Sequence, residues 1–287
     1  LEFRRVLFRS LRYLPDEWLI LVTYMFNQIF QSCNDYPDTW AMAQMFTIFK
    51  KGARLDTGNY RGISIIVALA KVYDSILSNR FKEWFKPDPE QAGCQEGRGC
   101  PEQILTLRLL IDVARKTNTT LYVVFLDYQK AYDKVNRNKL LQMLADQGCS
   151  KKFLIAIGQT FKHTKNLIGD ESFEVVTGVR QGSPSSCPLF TFYINKTIRD
   201  LKEYGNDGLL EDISALLLMD DTCVLATSRT AMNEKLHLII RSATGLDQEV
   251  HPVKSEYIVV NSEDDEPFVV DNIVIKKIGR ASCRERV

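Results

Sequence analysis

The hydrophobic pattern is sharpest at residues 121–126 (LYVVFL), six apolar positions in a row that stop at Asp127. A β-branched and aromatic run of that length, behind the polar stretch 116–120 (KTNTT), predicts a strand buried on both faces. A bare carboxylate is costly to bury unless something pairs it, so Asp127 is expected at the open end of that strand, facing a partner. Residues 214–219 (SALLLM) and 222–227 (TCVLAT) predict two more apolar strands. Asp220 and Asp221 lie between them, which reads as a hairpin with carboxylates at its tip. Laid beside the first strand, such a hairpin brings Asp127, Asp220 and Asp221 together.

The remaining pattern alternates helices with short strands, an α+β arrangement. Residues 15–31 and 69–85 have helical composition, and the second helix is ended by Pro87 and Pro89. Residues 40–49 and 59–65 are strand-like. Residues 102–116 form a helix with Pro101 at its start, and Asn138 is expected to cap a helix that runs through Gln147 and stops at Gly148. A helix over 151–162 and a hairpin over 167–173 follow. Gly178 and Gly182 flank Arg180-Gln181 and permit close backbone approach to a ligand. A long helix then presents Leu189, Phe190, Tyr193, Ile194 and Ile198 as a core face. A helix over 230–244 and strands over 253–261 and 268–277 complete the pattern.

Three converging acids need a cation. Oxygen-only ligation without His or Cys nearby points to Mg²⁺, with Mn²⁺ also suitable. Two such ions about 4 Å apart clamp the attacking and leaving oxygens of an in-line phosphoryl displacement. An Asp-Asp pair in a turn can equally be only a turn, and spacing alone does not name the reaction. The cysteines and the three histidines are scattered, with no C-x-x-C or Cys/His grouping of the kind that holds zinc. Residues 1–10 and 278–287 resemble translated sequencing adaptors and are set aside. They carry six Arg and two Glu, so the formal charge of +1 becomes −3 for the rest, and any nucleic-acid contact must rest on local patches.

FLDYQKAYD (125–133), GVRQGSPSSCPLF (178–190) and LMDD (218–221) resemble motifs A, B and C of reverse transcriptases, in that order. Their surroundings, over about residues 40–261, are most similar to the LINE-type, non-LTR branch. The resemblance implies a right-hand polymerase with fingers at 11–120 and palm at 121–277. A fingers insertion is expected near 137–177, the palm sheet mainly antiparallel and flanked by helices, and the thumb outside this stretch. The implied activity is RNA-directed DNA polymerisation with two Mg²⁺ held by Asp127, Asp220 and Asp221. The implied partners are an RNA template, a DNA primer and dNTP, inside the cell in nucleus or cytoplasm, with no membrane; the isolated chain is expected to be inactive. Alternatives are an inactive remnant of such an element, or a group II intron maturase or telomerase-like enzyme.

Residue by residue, Lys254 matches a lysine that protonates the leaving pyrophosphate. Lys50, Lys51 and Arg61 match cations that grip the triphosphate, where the guanidinium fork of Arg61 suits phosphate oxygens best. Gln181, Gly182 and Met219 fall at nucleotide contacts. Arg98, in QAGCQEGRG (91–99), and Arg180 fall along the template. Tyr132, five residues beyond Asp127, matches an aromatic that excludes a ribose 2′-hydroxyl, the alternative being a core ring. Three positions depart from the family pattern: Leu218 replaces an aromatic, Cys94 replaces an aromatic, and Ser183 stands in a slot often held by Asp.

Overall fold

The computed structural model describes residues 13–32, 36–205, 208–210 and 213–278. The adaptor-like ends lie outside the described residues, apart from Ile278. In chain order the elements are α1 (Asp16–Gln31), α2 (Asp38–Ala41), β1 (Met42–Phe49), β2 (Tyr60–Ile66), α3 (Ala68–Trp84), α4 (Cys100–Thr117), β3 (Leu121–Leu126), α5 (Arg137–Asp146) and α6 (Lys151–Phe161). Then follow β4 (Lys165–Ile168), β5 (Glu171–Glu174), α7 (Ser186–Tyr204), β6 (Ala215–Leu218), β7 (Asp221–Ala226), α8 (Arg229–Gly245), β8 (Glu256–Val260), β9 (Phe268–Val270) and β10 (Ile273–Lys277). They form two compact units, one of residues 1–85 with 136–189, the other of 86–135 with 190–287.

The second unit is built on a six-stranded sheet in the order β6-β7-β3-β8-β10-β9. Every pairing is antiparallel except β8 with β10. The apolar run of β3 earns its central place, flanked on both edges and buried except for partial exposure at Phe125. Leu121 and Val123 pack with Leu216 and Leu225 of neighbouring strands and with Leu110 and Ala114 of α4. Next to them in register, Tyr122 meets Phe268 edge to face. Residues 86–120, expected with the first region, therefore belong to the palm-like unit: α4 covers its sheet, and Glu90–Ala92 bond to the free edge of β6.

The first unit has a four-stranded sheet in the order β2-β1-β4-β5, with β1 and β4 parallel. The same unit takes in residues 136–189, which include the stretch 137–177. Asn136, not Asn138, caps α5: from extended backbone its side chain accepts from the N–H groups of Asn138 (3.0 Å) and Lys139 (3.1 Å). Residues 38–41 form a helical turn ahead of β1 rather than its first residues.

The loop after β5 is pinned at three places within this unit. The Ser64 N–H on β2 donates to the Gln181 carbonyl at 2.8 Å. Gly182 sits at φ +118°, where an added Cβ would lie 2.5 Å from the Ser64 carbonyl oxygen. Buried Asp74 on α3 accepts from the Ser183 hydroxyl (2.7 Å), the Ser185 N–H (2.9 Å) and the Ser185 hydroxyl (2.6 Å). The close approach that Gly182 permits is thus to the protein's own β2. Among the described residues no helix is long and apolar enough to cross a membrane.

Because both φ and space exclude a side chain there, Gly182→Ala should lower stability by roughly 1–3 kcal/mol. Gly158→Ala is the contrast, since its added methyl in α6 meets nothing closer than Leu141 Cδ1 at 3.8 Å. That change should be neutral or stabilise by up to about 1 kcal/mol. Urea denaturation of both variants checks the pair, and equal stability would contradict the docking of the loop on β2.

Candidate active site

The acids gather at one end of the second unit's sheet. Leu126 pairs with Thr222, so the register continued by one residue sets Asp127 opposite Asp221. Leu218 pairs with Asp221, which leaves Met219 and Asp220 as the two residues of the turn. Asp127, with 33% of its side chain exposed, stands where the strand leaves the core, as the cost of burying a charge requires. Its backbone is fixed by neighbours: its carbonyl accepts from the His251 N–H (2.6 Å), and its N–H donates to the Ser255 hydroxyl (3.4 Å). The ammonium of Lys254 lies 3.2 Å from Asp127 Oδ2. The lysine from the strand-like stretch 253–261 thus reaches the same acid that the sequence singled out.

The donor chemistry at this sheet end suits a hard cation. The candidate donors are the carboxylates of Asp127, Asp220 and Asp221, and the Nδ1 of His251 is engaged by the Val253 N–H at 3.3 Å. Among the described residues no three His, Cys, Asp or Glu side chains are drawn into one ligand set. The Lys254 ammonium is a positive charge beside Asp127. A divalent ion bound there would replace one cation with another of higher charge.

Two tyrosines follow Asp127 and lie within electrostatic reach of Asp220. Tyr128 is buried; burial first, and then the negative charge of Asp220, push its hydroxyl up to about 12. Tyr132 is half-buried and its ring stacks on Phe190, with centroids 4.4 Å apart and planes 19° from parallel. Burial, aided by Asp220, raises its hydroxyl to about 12 as well. Tyr132 is therefore a neutral ring clamped on one face by the core, close to the acids.

The other candidates lie elsewhere in the two units. In the first unit, Ile48 pairs with Arg61 and Phe49 with Tyr60, so exposed Arg61 stands near exposed Lys50 and Lys51 at the open end of the β1–β2 hairpin. Gln181 and Gly182 lie on the pinned loop. Arg180 is engaged by the protein's own backbone. Its guanidinium donates to the carbonyls of Trp40 (3.3 Å) and Ala41, and burial lowers its pKa. A charge taken out of water needs such acceptors, and these fix it inward. In the second unit Arg98 is held by Glu102, with Nε 3.0 Å from both carboxylate oxygens. Such an exposed pair is weak enough to exchange for another anion.

Two supporting residues were not anticipated. Asp74 falls on the buried face of α3 with Ala70, Tyr73, Leu77 and Phe81, and an acid at core spacing was the available signal. Its bond to Ser183 also accounts for that departure from the family pattern, since an aspartate at 183 would set two carboxylates against each other. Gln91, in the QAG segment, is fully buried and hydrogen-bonded to Met219 in the acidic turn.

Comparison with known proteins agrees with this architecture. Residues 48–272 match the family model described as reverse transcriptase (RNA-dependent DNA polymerase). The Pol polyprotein of the type-1 retrotransposable element R2 from Nasonia vitripennis is 27% identical over 85% of this chain and 25% of its own length. The RNA-directed DNA polymerase from mobile element jockey of Drosophila funebris is 30% identical over 77% of this chain and 25% of its own. The chain thus spans about a quarter of the length of these relatives. A solved telomerase from Candida tropicalis, in complex with a fragment of telomeric RNA, superposes with a TM-score of 0.56 at 16% identity, covering 83% of this chain and 44% of that one. That likeness is one of fold, and it agrees with the fingers-and-palm class. With the family model matched over most of its length, the chain belongs to the reverse transcriptase family, on its LINE-type retrotransposon branch.

Proposed function

We propose that this chain is the fingers-and-palm part of an RNA-directed DNA polymerase that joins a dNTP to the 3′-hydroxyl of a DNA primer on an RNA template. The observation that carries the reading is the meeting of Asp127, at the end of β3, with the Asp220-Asp221 turn of the adjoining hairpin. Asp127, Asp220 and Asp221 would hold two Mg²⁺ ions, and Mn²⁺ fits the same oxygen donors. Bound there, the ions would activate the primer hydroxyl and stabilise charge on the phosphate.

The chain's own groups have separate parts. Lys254 holds a proton beside Asp127, where it can be passed to the departing pyrophosphate. Arg61, Lys50 and Lys51, exposed on the β1–β2 hairpin, offer charge to the triphosphate, and Gln181 and Gly182, on the loop held against β2, are the nucleotide contacts that the resemblance implies. Met219, in the acidic turn, borders the nucleotide. Arg98 is the cation for a template phosphate, since its surface pair with Glu102 exchanges at little cost. The telomerase superposed on this fold is solved with a fragment of telomeric RNA, which supports RNA as a partner here. The three acids support catalysis over an inactive remnant. With such substrates the protein would act inside the cell, in nucleus or cytoplasm.

Asp127→Asn or Asp220→Asn, made in a longer reading frame that carries this chain, should lower primer extension in Mg²⁺ by roughly a hundredfold or more. RNA-template binding, measured alongside by filter retention, should hold, because the change removes charge but little volume. Extension that survives Asp220→Asn would contradict the assignment.

Tyr132→Val tests sugar choice. With the ring removed from its stack on Phe190, ATP should compete better against dATP in primer extension. Were Tyr132 only packing, the substitution would lower stability by roughly 2–4 kcal/mol and leave the ATP-to-dATP ratio unchanged. A thermal melt of the same variant separates the two.

A further inference from the structure

The two-residue turn that carries Asp220 is strained. Its first residue, Met219, lies at φ +63°, a region that glycine or asparagine enters readily. The arrangement that holds it there comes from a segment more than a hundred residues earlier in the chain. Gln91 is 0% exposed and uses both ends of its amide on the turn. Its Oε1 accepts from the Met219 N–H (2.9 Å) and from the Gly93 N–H (2.8 Å), and its Nε2 donates to the Met219 carbonyl (3.2 Å). Both backbone polar groups of the strained residue therefore end on one side chain.

Gly93 lets this happen. A Cβ there would lie 2.6 Å from Met219 Sδ and 2.7 Å from Met219 N, so any larger residue would push the segment off the turn. The segment is also tied to the strand before the turn, since the Leu217 N–H donates to the Glu90 carbonyl and the Ala92 N–H to the Leu217 carbonyl, each at 2.8 Å. Gln103 braces the same edge without touching the turn, with its Nε2 donating to the carbonyls of Glu90 (2.9 Å) and Leu217 (3.1 Å).

We infer that Gln91 is a positioning residue for the metal site, holding Met219 in its left-handed conformation and thereby fixing the direction in which Asp220 presents its carboxylate. The peptide between Met219 and Asp220 turns with the Met219 backbone, so releasing the clamp frees the acid. The inference rests on the proposed role of Asp220 in holding a divalent ion.

The test is Mn²⁺ titration of the purified chain, followed by electron paramagnetic resonance and accompanied by thermal melts. Parent chain should bind Mn²⁺ and Asp220→Asn should not. Gln91→Met keeps the volume but removes the hydrogen bonds, and should weaken Mn²⁺ binding about tenfold. Gln103→Met should lower the melting temperature yet keep the parent affinity, which a purely structural role for Gln91 would share. Adding Met219→Gly to Gln91→Met should recover part of the affinity, because glycine needs no clamp at positive φ. If Gln91→Met does not fold, Gly93→Ala probes the contact from the other side and should weaken binding similarly. Parent affinity in a folded Gln91→Met or Gly93→Ala variant, or equal weakening in Gln103→Met, would overturn the inference. Equal binding by parent and Asp220→Asn would instead overturn the metal reading beneath it.

Discussion

Negative charge held at the end of a buried sheet is the constraint from which the rest follows. β3 is enclosed on both faces, and a carboxylate can follow it only where the sheet stops. The antiparallel register then sets a second acid across from the first, and a two-residue turn adds a third. Like charges so placed repel, and the site needs positive charge to be stable. Lys254 supplies one such charge to Asp127 within the chain. A divalent ion bound there, as proposed, would meet the same demand.

Holding the acids in place requires backbone support from distant segments, and each unit has its own device. In the palm-like unit, the Glu90–Gly93 segment closes the edge of β6 and grips the Met219 turn. In the fingers-like unit, Asp74 and the Ser64 backbone hold the loop that carries Gln181 and Gly182. Both rely on a glycine whose missing side chain makes room for another part of the backbone or a neighbouring side chain. Such pinned loops supply rigid placement without a stiff local sequence.

What could be read in the sequence was what is local in it. The continuous run of β3, the strand–acid–acid–strand hairpin and the amphipathic helices each declare themselves within twenty residues, and the structure contains them at nearly the expected bounds. Asn138 reads as the cap of α5, whereas the backbone geometry makes Asn136 the cap. Arg180 matches a template contact in the sequence, and its bonds to carbonyls 139 and 140 residues away could not be read there. Gln91 and Asp74 were hidden for the same reason, with partners 128 and 109 residues distant. The placement of residues 86–120 also depended on long-range pairing, the edge of β6 being where that segment finds its hydrogen bonds.

As proposed, Asp127 and the Asp220-Asp221 turn would share divalent cations. Crystals of this chain soaked in Mn²⁺, with diffraction recorded at the manganese absorption edge, test it most directly. The account predicts an anomalous peak bridging the Asp127 carboxylate and that of Asp220 or Asp221, with Lys254 displaced from Asp127. Manganese bound only at other carboxylates, with the Lys254–Asp127 pair intact at saturating Mn²⁺, would contradict it.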